Sequence, residues 1–213
     1  MQNTEPARPR NRFYKRVLAM RFAFATALAT SLLLTGTVRA APATTPIVLT
    51  DSITLDVGVP PAFLWDELKR MYVDGDKFRH LGFKVTRVEG DPRAYLGGTI
   101  AEKTEAGVVD RREAHFTVID DKQRFLALTA RYLNGPTAYV SYEVRPAKVG
   151  RSTFQLIVHA DTVVPVDPGI PPTPASVRKK VEADTAFHHQ QLVDIWTAEV
   201  ARIEAMANAG KAH

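Results

Sequence analysis

The sequence predicts an α+β domain in which a seven-stranded antiparallel sheet is covered by one long C-terminal helix. Three observations carry this. Between Phe83 and Val163, apolar and polar residues alternate with period 2 in six successive runs, each divided from the next by a turn signal. A similar run, Ile53 to Val57, precedes two short helical stretches. After Thr173 the apolar spacing changes to that of a helix and holds it almost to the end of the chain. The composition agrees. The 213 residues are 45% hydrophobic and 8% aromatic, with 12 Gly and 14 Pro, which excludes collagen-like, low-complexity and disordered chains.

The chain opens on a leader. Residues 22–34, FAFATALATSLLL, form an uncharged apolar run too short for the roughly 20 residues that a bilayer-spanning helix needs. Cations precede it, and Val38-Arg39-Ala40 places modest or small side chains at the −3 and −1 positions of a signal-peptidase site. Residues 1–40 therefore read as a secretory signal peptide cut after Ala40, with Met20 as an alternative start, and the protein is expected in the periplasm or outside the cell. No Cys follows the apolar run, so no lipid anchor is expected and no stable membrane attachment remains after cleavage. The leader also accounts for the basic balance. Of the net +5, residues 1–40 hold seven cations and one anion, which leaves 21 cations against 22 anions in the rest. A nucleic-acid partner has no electrostatic basis. The absence of Cys excludes disulfides, thiolate chemistry and cysteine metal sites.

Residues 41–50 read as a flexible Ala-, Pro- and Thr-containing arm, and the folded domain as 51–207. The first strand is Ile53 to Val57. Pro60-Pro61 ends its ladder and suits a first helical turn, so Phe63, Leu64, Leu68 and Met71 define a helix over 61–72. Asp74-Gly75-Asp76 breaks it, and 77–81 supplies another turn. Strands follow near 83–89, 94–103, 108–119, 124–133, 137–146 and 152–163, and the short connections make neighbours antiparallel. Alternation sends Ala114, Phe116 and Val118, then Leu126 and Leu128, then Ala138, Val140, Tyr142 and Val144, then Phe154, Leu156 and Val158 to one apolar face. Arg111, Glu113, His115, Glu143, Arg145 and His159 take the other face, which is solvated. Leu96-Gly97-Gly98-Thr99 marks a strand bend. A Pro-rich connection over 164–173 leads to Thr173 as N-cap and Pro174 at the first helical position. Val181, Leu192, Trp196, Val200 and Ile203 then carry a helix, with a kink allowed near Asp184 and a tail at 208–213.

This order of elements, spanning about 51–207, resembles the SRPBCC superfamily, the START-like or Bet v 1-like helix-grip proteins that include polyketide cyclases and dehydrases. The residues carrying the resemblance are Ile53 to Pro61 leading into Phe63-Leu64-Trp65-Asp66-Glu67-Leu68, then Arg87-Val88-Glu89-Gly90, Thr117-Val118-Ile119-Asp120 before Arg124, and Tyr142-Glu143-Val144-Arg145-Pro146 before the hairpin at Gly150. These are architectural rather than catalytic patterns. The resemblance implies a curved sheet wrapped around the long helix and an apolar cavity between them, hence a hydrophobic small-molecule ligand.

Phe116, Leu128, Tyr132, Tyr142, Leu156, Phe187, His188 and Leu192 are the candidate cavity residues; each aromatic among them also suits a filled core. Asp110 and Arg112 continue the apolar face of their strand, as a rim salt bridge or as ligand contacts. Asp184, His188 and Gln191 share one side of the long helix, where Asp184 could orient His188 as a general base. His188 and His189 point about 100° apart and do not form a chelating pair, so no metal is expected. No Gly-rich nucleotide loop and no Gly-x-Ser-x-Gly elbow occurs, and no cofactor is implied. The expected function is an exported carrier of a lipid, isoprenoid or aromatic compound; the alternative is a cyclase- or dehydratase-like enzyme using acid-base residues in the same cavity. A module that binds a protein partner through the exposed sheet face is a third reading.

Overall fold

The computed structural model describes residues 44–91, 95–133, 135–165 and 173–210. The expected signal peptide, its expected cleavage after Ala40 and the alternative start at Met20 lie outside the described residues, as does most of the Pro-rich connection. The elements run β1 (Thr44–Val57), α1 (Pro61–Tyr72), α2 (Asp76–His80), β2 (Lys84–Asp91), β3 (Tyr95–Glu105), β4 (Val108–Asp120), β5 (Phe125–Tyr132), β6 (Thr137–Pro146), β7 (Ser152–Pro165) and α3 (Pro174–Gly210). The seven strands form one curved antiparallel sheet in the order β1-β7-β6-β5-β4-β3-β2. Consecutive strands β2 to β7 are hairpin neighbours, and β1 closes on β7. Among the described residues, no helix is long and apolar enough to cross a membrane.

The strand β1 is longer than its alternation suggests. Residues 44–50, expected in a flexible arm, pair with β7 through to Thr44 opposite Pro165. Local pattern misses them because an edge strand beside a long partner is held by its ladder, whatever its own periodicity. The helix starts behave as their sequences dictate. Pro60 caps α1, whose first bond runs from the Leu64 N–H to the Pro60 carbonyl. Thr173 accepts from the Ser176 N–H at 3.1 Å while the Ser176 hydroxyl accepts from the Thr173 N–H at 3.0 Å, a reciprocal cap on α3. From there α3 runs as one helix through Asp184 to Gly210, with the first residues of the expected tail included.

Side chains on the inner face line up in transverse rows. Ile119, Leu126, Tyr142, Leu156 and Ile53 form one row, and the next includes Leu55 opposite Phe154, itself opposite Val144. Trp196 of α3 descends onto these rows. Its ring lies 4.3 Å from Phe154, 5.7 Å from Tyr142 and 6.3 Å from Tyr72 of α1, and Tyr72 lies 4.8 Å from Tyr142. Val200 and Ile203 extend the contact toward the C-terminus of the helix. α1 is tied to the far side of the sheet as well: Trp65 Nε1 and Lys69 Nζ both donate to Asp121 Oδ1 at 2.7 Å, just past the end of β4.

Two irregularities bend the sheet. Gly97 has φ 134°, and a Cβ on Gly98 would stand 2.6 Å from the Ala114 carbonyl oxygen, so both positions need glycine. In β4 the register shifts between Phe116 and Val118, a bulge that inverts the alternation. Val118, predicted to face inward, is 38% exposed, and Ile119 takes its place against the core. Ile119→Ala is therefore expected to lower unfolding free energy by about 2 kcal/mol and Val118→Ala by under about 0.5 kcal/mol, measured by urea denaturation.

Candidate functional site

The inner face changes character toward the other end of the sheet. One row across it reads Thr99, Ala114, Ala130, Ala138, Ala160 and Leu49, four consecutive strands contributing alanine. The row between it and the aromatic rows reads Phe116, Leu128, Val140, Val158 and Asp51. The fully buried positions of α3 are Trp196, Glu199, Val200, Ile203 and Ala207; before Trp196 its residues are at most half-buried, Leu192, Val193 and Ile195 among them packing against the core. Ala130 and Val140, in middle strands and on the inner face, remain half-buried. The inner face is thus filled by aromatic rings at one end and lined by methyl groups at the other, where Ala114, Ala138 and Ala160 are buried and Ala130 is half-buried.

Asp51 sits at the junction. It follows Leu49 and precedes Ile53 on the inner face of β1 and is only 7% exposed. His188 Nδ1 lies 3.0 Å from Oδ2 and His189 Nδ1 lies 2.8 Å from Oδ1, while the Ser52 N–H donates to Oδ1 at 2.7 Å. Burial pushes the carboxyl's pKa up, but the hydrogen bonds from His189, His188 and the Ser52 amide outweigh it and hold Asp51 below the ordinary aspartate range. The carboxylate is therefore ionised and accepts from both rings. Each imidazole carries its hydrogen on Nδ1, so in the neutral ring Nε2 holds the lone pair. Among the described residues no three His, Asp or Glu side chains are placed to hold a metal ion.

The predicted site residues divide accordingly. Phe116, Leu128, Tyr142 and Leu156 lie in the buried core, and Leu192 packs partly against it. Tyr142 is fully enclosed, its phenol pKa raised by burial and then by the neighbouring Tyr72. Phe187 is 49% exposed, which follows from helix geometry: nine residues before Trp196 is half a turn out of phase with it. Tyr132 is exposed at the end of β5, opposite Arg112. Asp110 and Arg112 satisfy each other in a two-pronged pair at 3.0 and 2.6 Å, with the guanidinium 4.8 Å from the Phe83 ring centre, which makes them an ion pair of the sheet's rim. Asp184 does not orient His188: its carboxylate lies 3.4 Å from Lys180 Nζ, and His188 turns to Asp51. Sequence reasoning missed Asp51 because it fell outside the shorter first strand. The available cue was Leu49-x-Asp51-x-Ile53, a carboxylate interrupting an apolar face.

Since the carboxylate pKa is lowered in the folded state, the stability it contributes is complete above the ordinary aspartate value of 3.8 and is lost as pH falls below it. Asp51→Asn is expected to cost about 1.5–3 kcal/mol near pH 7. The gap to the parent protein, followed by thermal or urea unfolding across pH, should close only below the carboxylate range; a gap constant down to pH 2 would contradict the assignment.

Comparison with family models and with curated proteins finds no match. Solved structures do match. Ara h 8.0201 superposes with a TM-score of 0.50 at 18% identity, covering 76% of this chain and 99% of that one. The protein of unknown function SA2116 from Staphylococcus aureus gives 0.53 at 8% identity over 77% and 98% of the two chains. The Zhui aromatase/cyclase from Streptomyces sp. R1128 gives 0.49 at 18% identity over 74% and 94%. At these identities the likeness is one of backbone, and the two structures at TM-scores of 0.50 and 0.53 show that this chain is built on the helix-grip fold.

Proposed function

We propose that this protein is an exported carrier that holds a hydrophobic small molecule, a lipid, isoprenoid or aromatic compound, between the alanine row and the N-terminal half of α3. The observation that carries the reading is the change of side-chain size along one continuous apolar face. Where Trp196, Tyr142 and Phe154 meet, helix and sheet seal each other. Where Ala114, Ala130, Ala138 and Ala160 line up, methyl groups face a stretch of helix with no buried residue. Covering such a surface with an apolar guest gains about 25 cal/mol per Å² removed from water, and sites of this kind are mostly apolar with a few polar groups. Export rests on the apolar run at 22–34 and the Val38-Arg39-Ala40 site that follows it.

A second reading, a cyclase- or dehydratase-like enzyme, is favoured by one feature. An imidazole whose Nδ1–H is held by a carboxylate is a competent general acid or base, and His188 on Asp51 has that arrangement. The two readings differ in whether the guest leaves chemically unchanged.

Native mass spectrometry of protein taken from the periplasm is expected to show the mass of residues 41–213 carrying an apolar adduct in near-stoichiometric amount, released by organic solvent. Ala138→Trp should remove the adduct while leaving the circular dichroism spectrum intact. Protein that is adduct-free and also fails to take up N-phenyl-1-naphthylamine would overturn the carrier reading; protein retained in the cytoplasm with residues 1–40 attached would overturn export. Recovery of the adduct in altered form after incubation with the parent protein, but not with His188→Ala, would select the enzyme.

A further inference from the structure

We propose that the Nε2 edges of His188 and His189 form a hydrogen-bond-accepting end wall of the groove, so that its ligand is an apolar molecule bearing a hydroxyl group. This rests on the binding role just proposed and adds the polar chemistry of the guest.

The placement is given by β1 and its neighbours. Asp51 shares its row with Val158, Val140 and Leu128, and the adjacent row is the run of alanines. A guest lying along those alanines has the Asp51–imidazole cluster beside it. Both rings are accessible, with side-chain exposures of 30% for His188 and 50% for His189, although the carboxylate they share is buried. Among the described residues, the hydrogen bonds of both rings run through Nδ1 to Asp51. That leaves Nε2 of each neutral ring as an acceptor facing away from the carboxylate.

An acceptor pair backed by a buried anion discriminates between head groups. A carboxylate or carbonyl brings only lone pairs and would meet lone pairs, with the negative charge of Asp51 behind them. An ammonium could donate, but it would have to leave water for a groove of methyl groups, which costs more than a neutral group does. A neutral hydroxyl donates one hydrogen bond at little desolvation cost and suits the site best. Asp51 acts here as a positioning residue, since it sets which nitrogen bears the hydrogen without touching the guest.

The test is a fluorescence titration at pH 8, above the range in which histidine side chains ordinarily titrate, with naphthalene compounds that differ only at one end: 1-naphthylmethanol, its methyl ether, and 1-naphthylacetate. The parent protein is expected to bind the alcohol about tenfold more tightly than the ether and the carboxylate most weakly. In the double variant His188→Ala/His189→Ala the ratio of alcohol to ether affinity should fall to about one. Asp51→Asn frees one ring to carry its hydrogen on Nε2, so the carboxylate should gain affinity as the alcohol loses it. Equal binding of alcohol and ether by the parent protein, or a preference that survives loss of both histidines, overturns the inference while leaving the carrier reading intact. If none of the three compounds binds, the groove itself is not a ligand site and both fall. Should a variant fail to fold, the parent protein alone decides, because equal binding of alcohol and ether overturns the inference without any substitution.

Discussion

A sheet with one apolar face cannot stand alone in water, and everything else in this protein follows from how that face is covered. The cover is the C-terminal half of α3, and its anchor is Trp196, wedged among Tyr72, Tyr142 and Phe154. Large rings bury much area per residue, and Trp196 anchors the helix on β6 and β7 while the helix lies mainly along β1. Val200 and Ile203 continue the same stripe. Its N-terminal half continues as the same helix, with His188 and His189 meeting Asp51 of β1.

That half of α3 is held differently. Before Trp196 no residue is fully buried: Leu192, Val193 and Ile195 pack partly against the core, and two consecutive histidines meet one carboxylate on β1. A buried carboxylate is costly unless its lone pairs are used, and Asp51 uses them on two imidazoles and the Ser52 amide. The alanine row lies next to this latch on the same face of the sheet.

The outer face is organised by charge alone. Arg111 is paired with Glu113 and Glu102, Glu113 with His115, and Arg145 with Glu143. Burial of Glu113 is minor and its carboxyl is held low mainly by the hydrogen bond with His115 and then by Arg111. Exposed pairs of this sort add little stability; their role is to keep a wide antiparallel surface wetted while the bulge in β4 and Gly97-Gly98 of β3 give it curvature.

The order and kind of the elements were legible in the sequence because periods of 2 and 3.6, proline at helix starts and glycine at turns act over a few residues. Thr173-Pro174 capped its helix as read, and the solvated face carries the charges assigned to it. What failed were inferences that ran past a local pattern. Val118 faces out because one extra residue in β4 shifts the register, and Asp184 pairs along its helix while His188 reaches across to β1. The sequence by itself determined a seven-stranded sheet with one apolar face and a helix long enough to cover it. Only the tertiary structure decided which part of that helix seals the face and which residues meet where it does not, since Asp51 and His188 are 137 positions apart and no local periodicity records a contact of that range.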